Sequence, residues 1–126
     1  MPHRFDVSRI ITSLKKNPLT SKVEILTLDE VERRGFYKLR CILIPSKYKL
    51  DIKYIKTEND FFYSYQLYSN RDVARWDNEP HYPNLINYPH HYHYQENVSA
   101  SEFSGEPIED IKKVFLLISE IIDSIR

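Results

Sequence analysis

Glycine is nearly absent from this 126-residue chain, which contains only two. Loops that hold phosphate groups through backbone N–H groups need several closely spaced glycines, whereas Gly35 and Gly105 stand far apart. The sequence therefore argues against a P-loop nucleotide hydrolase and against a dinucleotide-binding fold. Cysteine is scarcer still, because Cys41 is the only one and cannot form an internal disulfide. A reducing, cytoplasmic location is the expectation that follows.

Long apolar runs are missing as well, since none reaches the roughly 18 residues of a membrane span. The N-terminal segment also lacks the apolar stretch and cleavage site of a signal peptide. Net charge is absent too, because 18 basic residues balance 18 acidic ones. With 41% hydrophobic residues, a chain of this size can bury a core without disulfides or a structural metal. We therefore expect a single domain over residues 1–126.

Polar and apolar residues alternate in several segments between residues 22 and 76, which predicts β-strands. The predicted strands are 22–29, 36–44, 48–55, 61–69 and 73–76. The turns between them are too short for crossover helices, so the strands should form an antiparallel meander. Helical spacing predicts a short helix over 6–16 and a long one over 107–125. The expected fold class is α+β: a curved antiparallel sheet of about five strands, with the long C-terminal helix on its apolar face and the short N-terminal helix beside it.

The predicted C-terminal helix carries a broad apolar stripe. The stripe runs from Ile108 to Ile125 and is widened by Val114, Leu117 and Ile121. Packing across the sheet accounts for most of it. The extra breadth also predicts a homodimer, in which Leu117 or Ile121 would lie nearer the partner than the core.

Charge is unevenly distributed along the chain. Residues 31–56 hold eight Lys or Arg against two Asp or Glu, whereas residues 57–126 hold five against twelve. Four basic residues alternate with the apolar positions of two predicted strands and should share one sheet surface: Lys38, Arg40, Lys49 and Lys53. Such a basic stripe can follow a nucleic-acid backbone. A solvated face that only keeps the protein in solution is the alternative.

Residues 77–93 break the alternating pattern and concentrate polar chemistry. The segment contains three prolines and four of the five histidines of the chain. If it includes a strand, His91 and His93 converge on one face and His90 lies on the other. His81 would be brought close by a turn that the prolines shape. A long segment of this kind inside a compact fold is more often functional than idle.

Three chemical interpretations of these histidines compete. His91 and His93 could bind a divalent metal, with Asp77 or His81 completing the set, although the sequence has no complete metal-ligand motif. Two histidines could instead perform metal-independent acid–base chemistry on RNA, with Arg75 or a lysine stabilising the charge on phosphorus. The third interpretation is structural, with histidines and tyrosines packed in a rigid loop and Arg75 paired with Asp77. Tyrosines around the segment could similarly stack bases or belong to the core.

The order of these residues resembles the TumE family of toxin–antitoxin toxins. The resemblance lies in Arg75-Trp76-Asp77-Asn78, followed by Pro80-His81, Pro83, Pro89-His90-His91 and His93. Asn17-Pro18-Leu19 after the first helix, Tyr63 and Tyr65 before the motif, and Glu106-Pro107 before the last helix fit in the same order. Tyr88 and Tyr92 depart from the residues usual at those places, but no polar position of the motif is lost.

The resemblance implies a small prokaryotic toxin that acts with a cognate antitoxin, often a DNA-binding protein. It does not carry a reaction with it. Our hypothesis is RNA cleavage without metal or cofactor, and the alternatives are a non-enzymatic module that binds nucleic acid or protein and a metal-dependent nuclease. His91 and His93 are the expected acid and base, with His90 and His81 as further catalytic candidates. Arg75 would hold phosphate and Asp77 would orient a histidine. Asn78, Trp76 and the basic stripe are the expected substrate contacts.

Overall fold

The computed structural model describes residues 5–125, and these form two helices and seven strands. In chain order the elements are α1 (Val7–Lys16), β1 (Thr20–Val31), β2 (Arg34–Leu43), β3 (Lys49–Lys56), β4 (Phe61–Tyr68), β5 (Asp72–Asp77), β6 (His91–Tyr94), β7 (Asn97–Ala100) and α2 (Pro107–Ile125). Neither helix of this part of the chain is long and apolar enough to cross a membrane.

All seven strands belong to one antiparallel sheet in which neighbours in sequence are neighbours in space. The predicted α+β meander is therefore confirmed, but the predicted number of strands, about five, was too small. The two missed strands, β6 and β7, have four residues each and are joined by a two-residue turn, Gln95-Glu96, in which both residues have positive φ. Such turns usually contain Asn-Gly or Asp-Gly, so this one has no recognisable sequence signal.

One face of the sheet, the inner face, carries the core together with the two helices. Alternate residues of β2, β3 and β4 are buried there, as the alternation predicted. Cys41 is among them and is fully buried, and burial raises the pKa of its thiol to about 12. It is therefore an unreactive core residue, as expected. The opposite, solvated face is called the outer face below.

Both helices begin at carboxylates that accept backbone hydrogen bonds. Asp6 caps α1 by accepting from the N–H groups of Ser8 at 3.0 Å and Arg9 at 3.3 Å. Asp110, in the first turn of α2, is fully buried and accepts from the N–H groups of Ser104 at 3.0 Å and Gly105 at 2.8 Å. These bonds fix the segment that leads from the sheet into α2.

Fewer residues of the apolar stripe of α2 are exposed than expected. Ile121 is only 6% exposed and belongs to the core, and Leu117 is partly buried against it. The expectation that Ile121 lies near a partner subunit was therefore wrong, because its side chain packs within the core of the subunit itself. The exposed large apolar residues of α2 are Leu116, at 69%, and Ile125, at 51%.

Candidate active site

The sheet register places two rows of polar residues across the outer face. Directly opposite residues on successive strands share a face. The first row reads Lys38, Lys53, Ser64, Asp77 and His91 across β2 to β6. The second row reads Arg40, Asp51, Gln66, Arg75 and His93. Three residues of the predicted basic stripe therefore share one continuous surface with four of the predicted catalytic residues, Arg75, Asp77, His91 and His93.

Asp77 is the centre of a compact polar cluster at the β5–β6 end of these rows. Its Oδ2 accepts from Arg75 Nε at 2.9 Å. Its Oδ1 lies 2.9 Å from His91 Nε2 and accepts from the backbone N–H of Glu79 at 3.1 Å. Arg75 Nη2 lies 3.0 Å from His93 Nε2. We refer to Arg75, Asp77, His91 and His93 as the Asp77 cluster.

Two contacts fix the ring of His91. Its Nδ1 lies 3.0 Å from the carbonyl oxygen of Pro89, which can only accept, so Nδ1 carries a proton. Its Nε2 lies 2.9 Å from Asp77 Oδ1. Both side chains are buried, His91 at 1% exposure and Asp77 at 6%, so solvent is excluded from this contact.

The contact with Arg75 determines which ring nitrogen of His93 carries the proton. A guanidinium group has only donors, so Arg75 donates to His93 Nε2 and the proton of the neutral ring lies on Nδ1. Burial lowers the pKa of His93, and the positive charge of Arg75 lowers it further. His93 is therefore a neutral base at pH 7. Its side chain is 24% exposed and that of Arg75 is 46% exposed, so these two groups can meet a substrate.

Tyr82 packs over the Asp77 cluster from the loop between β5 and β6. Its ring lies 4.8 Å from the ring of His91 and 5.9 Å from that of His93, edge to face in both cases. Asn87 holds the same loop in place, because its side chain donates to the carbonyl oxygens of Ser101 at 2.7 Å and Phe103 at 2.9 Å. The sequence analysis did not assign Tyr82 to the site, since one tyrosine among ten carries no distinguishing signal.

The other two histidine candidates lie apart from the Asp77 cluster. His90 points to the inner face, where its Nδ1 meets the hydroxyl of Tyr63 at 2.7 Å and the two rings stack. The alternation of side chains had predicted this separation from His91 and His93. Burial lowers the pKa of His90. His81 is exposed and its Nε2 lies 2.9 Å from Glu79. Neither residue bonds to the Asp77 cluster.

Two residues expected to contact substrate, Trp76 and Asn78, instead form contacts within the fold. Trp76 is fully buried on the inner face, where its ring stacks on Tyr92 with 5.0 Å between ring centroids. Asn78 accepts from the N–H of Tyr63 at 2.9 Å and donates to the carbonyl oxygen of Phe61 at 2.8 Å. It therefore braces the exit of β5 against β4.

The basic stripe is on the outer face, as expected, but its charges are not equivalent. Arg40 forms a two-pronged ion pair with Asp51, at 2.8 and 3.1 Å, which neutralises it. Lys38 and Lys53 lie directly opposite each other on β2 and β3. No carboxylate of residues 5–125 pairs with either lysine. Like charges in this position repel, so the pair favours an anionic ligand.

The Asp77 cluster also contains the donor set of a metal site. One atom each of Asp77, His91 and His93 lie within 4.8 Å of one another. The hydrogen bond from His91 to a backbone carbonyl is typical of metal-binding histidines. However, Arg75 already bridges Asp77 and His93 with a positive charge. A metal ion would have to displace that guanidinium, and this favours chemistry that uses Arg75 in place of a metal.

Comparisons with known proteins agree with the motif. A family model described as Toxin TumE matches residues 10–125, which is nearly the whole chain. Searches of curated proteins and of solved structures found no match. The matched range contains every element from the end of α1 to α2, including the Asp77 cluster. On this match the chain belongs to the TumE toxin family.

Proposed function

We propose that this protein is the toxin of a type II toxin–antitoxin module and that it cleaves RNA without a metal ion. Membership of the toxin family implies a cognate antitoxin. The observation that carries the RNA proposal is the continuous row from Lys38 and Lys53 to the Asp77 cluster on the outer face. Lysines without a carboxylate partner bind phosphates of a nucleic-acid backbone. The row ends at the Asp77 cluster, in which the neutral imidazole of His93 lies beside the guanidinium of Arg75.

In the proposed reaction, His93 is the base and Arg75 holds the phosphate. His93 Nε2 takes the proton of a ribose 2′-hydroxyl, and the 2′-oxygen forms a bond to phosphorus. Arg75 leaves His93 and donates to the phosphate oxygens, where negative charge grows. The bond from phosphorus to the 5′-oxygen breaks, and that oxygen takes a proton from solvent. The products are a 2′,3′-cyclic phosphate and a 5′-hydroxyl end.

Asp77 and His91 are positioning residues in this proposal. Asp77 orients Arg75 through Oδ2, and His91 contacts Asp77 Oδ1 through Nε2. The acid role expected for His91 is not retained, because its Nε2 lies 2.9 Å from Asp77 and its ring is only 1% exposed. His91 therefore acts on the substrate through Asp77 and Arg75.

Inducible expression with and without the cognate antitoxin tests the proposal. Expression of the toxin alone should slow growth, and expression of both proteins should not. His93→Ala and Arg75→Ala should each abolish the growth defect at equal soluble levels, because they remove the base and the phosphate contact. Arg33→Ala is the matched control, since Arg33 is an exposed arginine in the β1–β2 turn.

The RNA products separate the alternatives. RNA extracted from the arrested cells should be cleaved and carry 2′,3′-cyclic phosphate ends. The purified protein should form the same ends in the presence of a chelator, which supports the proposed chemistry. Growth arrest by His93→Ala equal to that of the wild type would contradict it. Arrest with intact RNA would instead indicate a toxin that blocks its target by binding.

A further inference from the structure

A small pocket opens on the outer face beside the Asp77 cluster. Its volume is about 320 Å³, near the lower limit for small-molecule sites. Ile55 and Phe62, which lie opposite each other on β3 and β4, form its apolar floor. Lys53, Ser64 and His81 are among the polar residues that line it. We refer to it as the Phe62 pocket.

Phe62 differs from the aromatic residues next to it in sequence. Phe61 stacks on Tyr54 at 5.6 Å and Tyr63 lies 5.3 Å from Tyr65, all toward the inner face. Phe62 points the other way, and no aromatic ring of the described residues pairs with it. Its half-buried ring therefore offers a face to solvent, which suits a flat ligand that stacks.

Charge around the pocket favours a ligand that carries phosphate. Lys53 lines the pocket and lies opposite Lys38, and neither has a carboxylate partner among residues 5–125. Glu79 also lines the pocket, but its carboxylate lies 2.9 Å from His81 Nε2, so the two lysines are the charges left without a partner. A purely apolar ligand would leave this repulsion in place. A nucleotide combines the two requirements, because its base is flat and its phosphate is anionic.

The position of the pocket connects it to the proposed reaction. Ser64 lines the pocket and lies directly opposite Asp77 on the neighbouring strand, and strands are spaced about 4.8 Å apart. Phe62 lies two residues further along β4, or about 7 Å. Arg75 lies opposite Gln66, four residues along β4 from Phe62, but its guanidinium reaches back to Asp77, with Nε 2.9 Å from Oδ2. A phosphate bound to this guanidinium would therefore leave the base of an adjoining nucleotide within reach of the pocket.

We propose that the Phe62 pocket binds one unpaired base of single-stranded RNA, next to the phosphate that is cleaved. This inference rests on the proposed RNA function. A base in a duplex is stacked and paired and cannot enter such a pocket, whereas a base in a loop or single strand can be turned outward. The pocket thereby selects unpaired RNA and sets the position of the cut.

The test compares two RNA probes on several variants. The probes are a short single strand with 2′-O-methyl groups, which cannot be cleaved, and the same strand with one abasic position. Fluorescence anisotropy at low salt gives their dissociation constants. The wild type should bind the intact probe at least about tenfold more tightly than the abasic one, the scale of one base–aromatic stack. Phe62→Ala should bind both probes equally, at the wild-type affinity for the abasic strand.

Three further variants make the outcome specific. Phe36→Ala is the matched control, since Phe36 lies in the same cross-strand row, beyond Ile55, but outside the pocket; it should retain the tenfold ratio. Phe62→Tyr keeps the ring and should retain the ratio, whereas Phe62→Leu keeps only apolar volume and should lose it. The last two variants decide the question if Phe62→Ala does not fold.

Each contrary result has a separate meaning. If the wild type does not bind the intact probe, the RNA function and the pocket proposal are both overturned. If the wild type binds RNA but Phe62→Ala and Phe62→Leu keep the tenfold ratio, only the pocket proposal is overturned. If those variants keep RNA affinity but escape neutralisation by the antitoxin, the pocket binds a protein segment and the base proposal is wrong.

Discussion

Asp77 illustrates how one buried carboxylate can organise several polar groups. It contacts Arg75, His91 and the N–H of Glu79. A buried carboxylate of this kind is tolerated only because its partners compensate it. The side chain of Arg75 remains exposed and that of His93 partly exposed. In the proposed reaction, the first is a permanent cation and the second is a neutral base.

The pKa of His93 should control the acid side of the activity profile. Burial and the charge of Arg75 lower this pKa below the ordinary value of about 6.5. Because the neutral ring is the base, activity should persist at pH 6.5 and fall only at a lower pH. NMR titration of the ring should give a pKa below 6.5 in the wild type and a higher one in Arg75→Gln. A pKa at or above 6.5 in the wild type would contradict the assigned role.

The same depressed pKa has a consequence for stability. In the unfolded chain His93 titrates near its ordinary pKa, so the unfolded state takes up the proton first as the pH falls. His90, whose pKa burial also lowers, acts in the same direction. Both histidines therefore lower the free energy of unfolding as the pH falls below about 6.5.

Purified protein without a histidine tag should contain no stoichiometric zinc. Arg75 occupies the position between Asp77 and His93 that a metal ion would need. Arg75→Ala removes that charge and leaves three ligand atoms within 4.8 Å, so this variant should bind zinc more tightly than the wild type. Elemental analysis and zinc titration by calorimetry measure both. Arg75→Ala/His93→Ala, which lacks one ligand, is the control.

A different result would revise the chemistry. About one zinc ion per wild-type chain would mean that Arg75 yields to the metal, and a metal-dependent nuclease would then be the better interpretation. Equal zinc affinity of wild type and Arg75→Ala would mean that the three ligand atoms do not act as a set.

At the scale of the secondary-structure elements, α2 provides a test of the core assignment. Ile121 is 6% exposed and Leu116 is 69% exposed. Ile121→Glu should therefore unfold the domain or lower its melting temperature strongly, because it buries an unpaired charge. Leu116→Glu should change stability by no more than about 0.5 kcal/mol, as exposed sites usually do. Circular dichroism melts of both variants check this.

Light scattering on the same proteins addresses the predicted homodimer. The expected mass is about twice 15.2 kDa for the wild type. If α2 contributes to the interface, Leu116→Glu should give a folded monomer. A monomeric wild type would contradict the homodimer, and a folded Ile121→Glu would contradict the core assignment.

The elements that the sequence predicted are those whose signal is local. Alternation identified β1 to β5 within about two residues at each end, and Asp6 and Pro107 marked the helix starts. The strand β6 remained hidden, because Pro89 and three histidines suggested a loop and the β6–β7 turn has no glycine. Ile121 was misjudged because helical spacing alone does not show how much of the α2 surface the core covers.

The features of the site could likewise be predicted where they depend on local spacing, but not where they depend on contacts between residues distant in sequence. That His91 and His93 share a face followed from their spacing by two residues. The pairing of Asp77 with His91 depends on the register between β5 and β6, which sequence spacing alone does not specify. The burial of Trp76 and the bonds of Asn78 to β4 likewise depend on neighbours distant in sequence.

At the scale of the whole molecule, zero net charge conceals two different surfaces. The outer face carries the unneutralised lysines of β2 and β3 together with the Asp77 cluster. The helix α2, which packs on the inner face, holds four acidic residues and two lysines. Such a separation orients an approaching polyanion toward the outer face without any net attraction of the whole protein.

Salt dependence of RNA binding should reveal which lysines contact phosphates. For single strands the slope of log affinity against log salt is about −0.7 per neutralised phosphate. Lys38→Ala/Lys53→Ala should therefore flatten the slope by about one to two units. Lys16→Ala/Lys112→Ala removes the same charge from exposed positions on the two helices and should leave the slope unchanged. Equal slopes for both double variants would mean that the lysines of the outer face only keep it solvated.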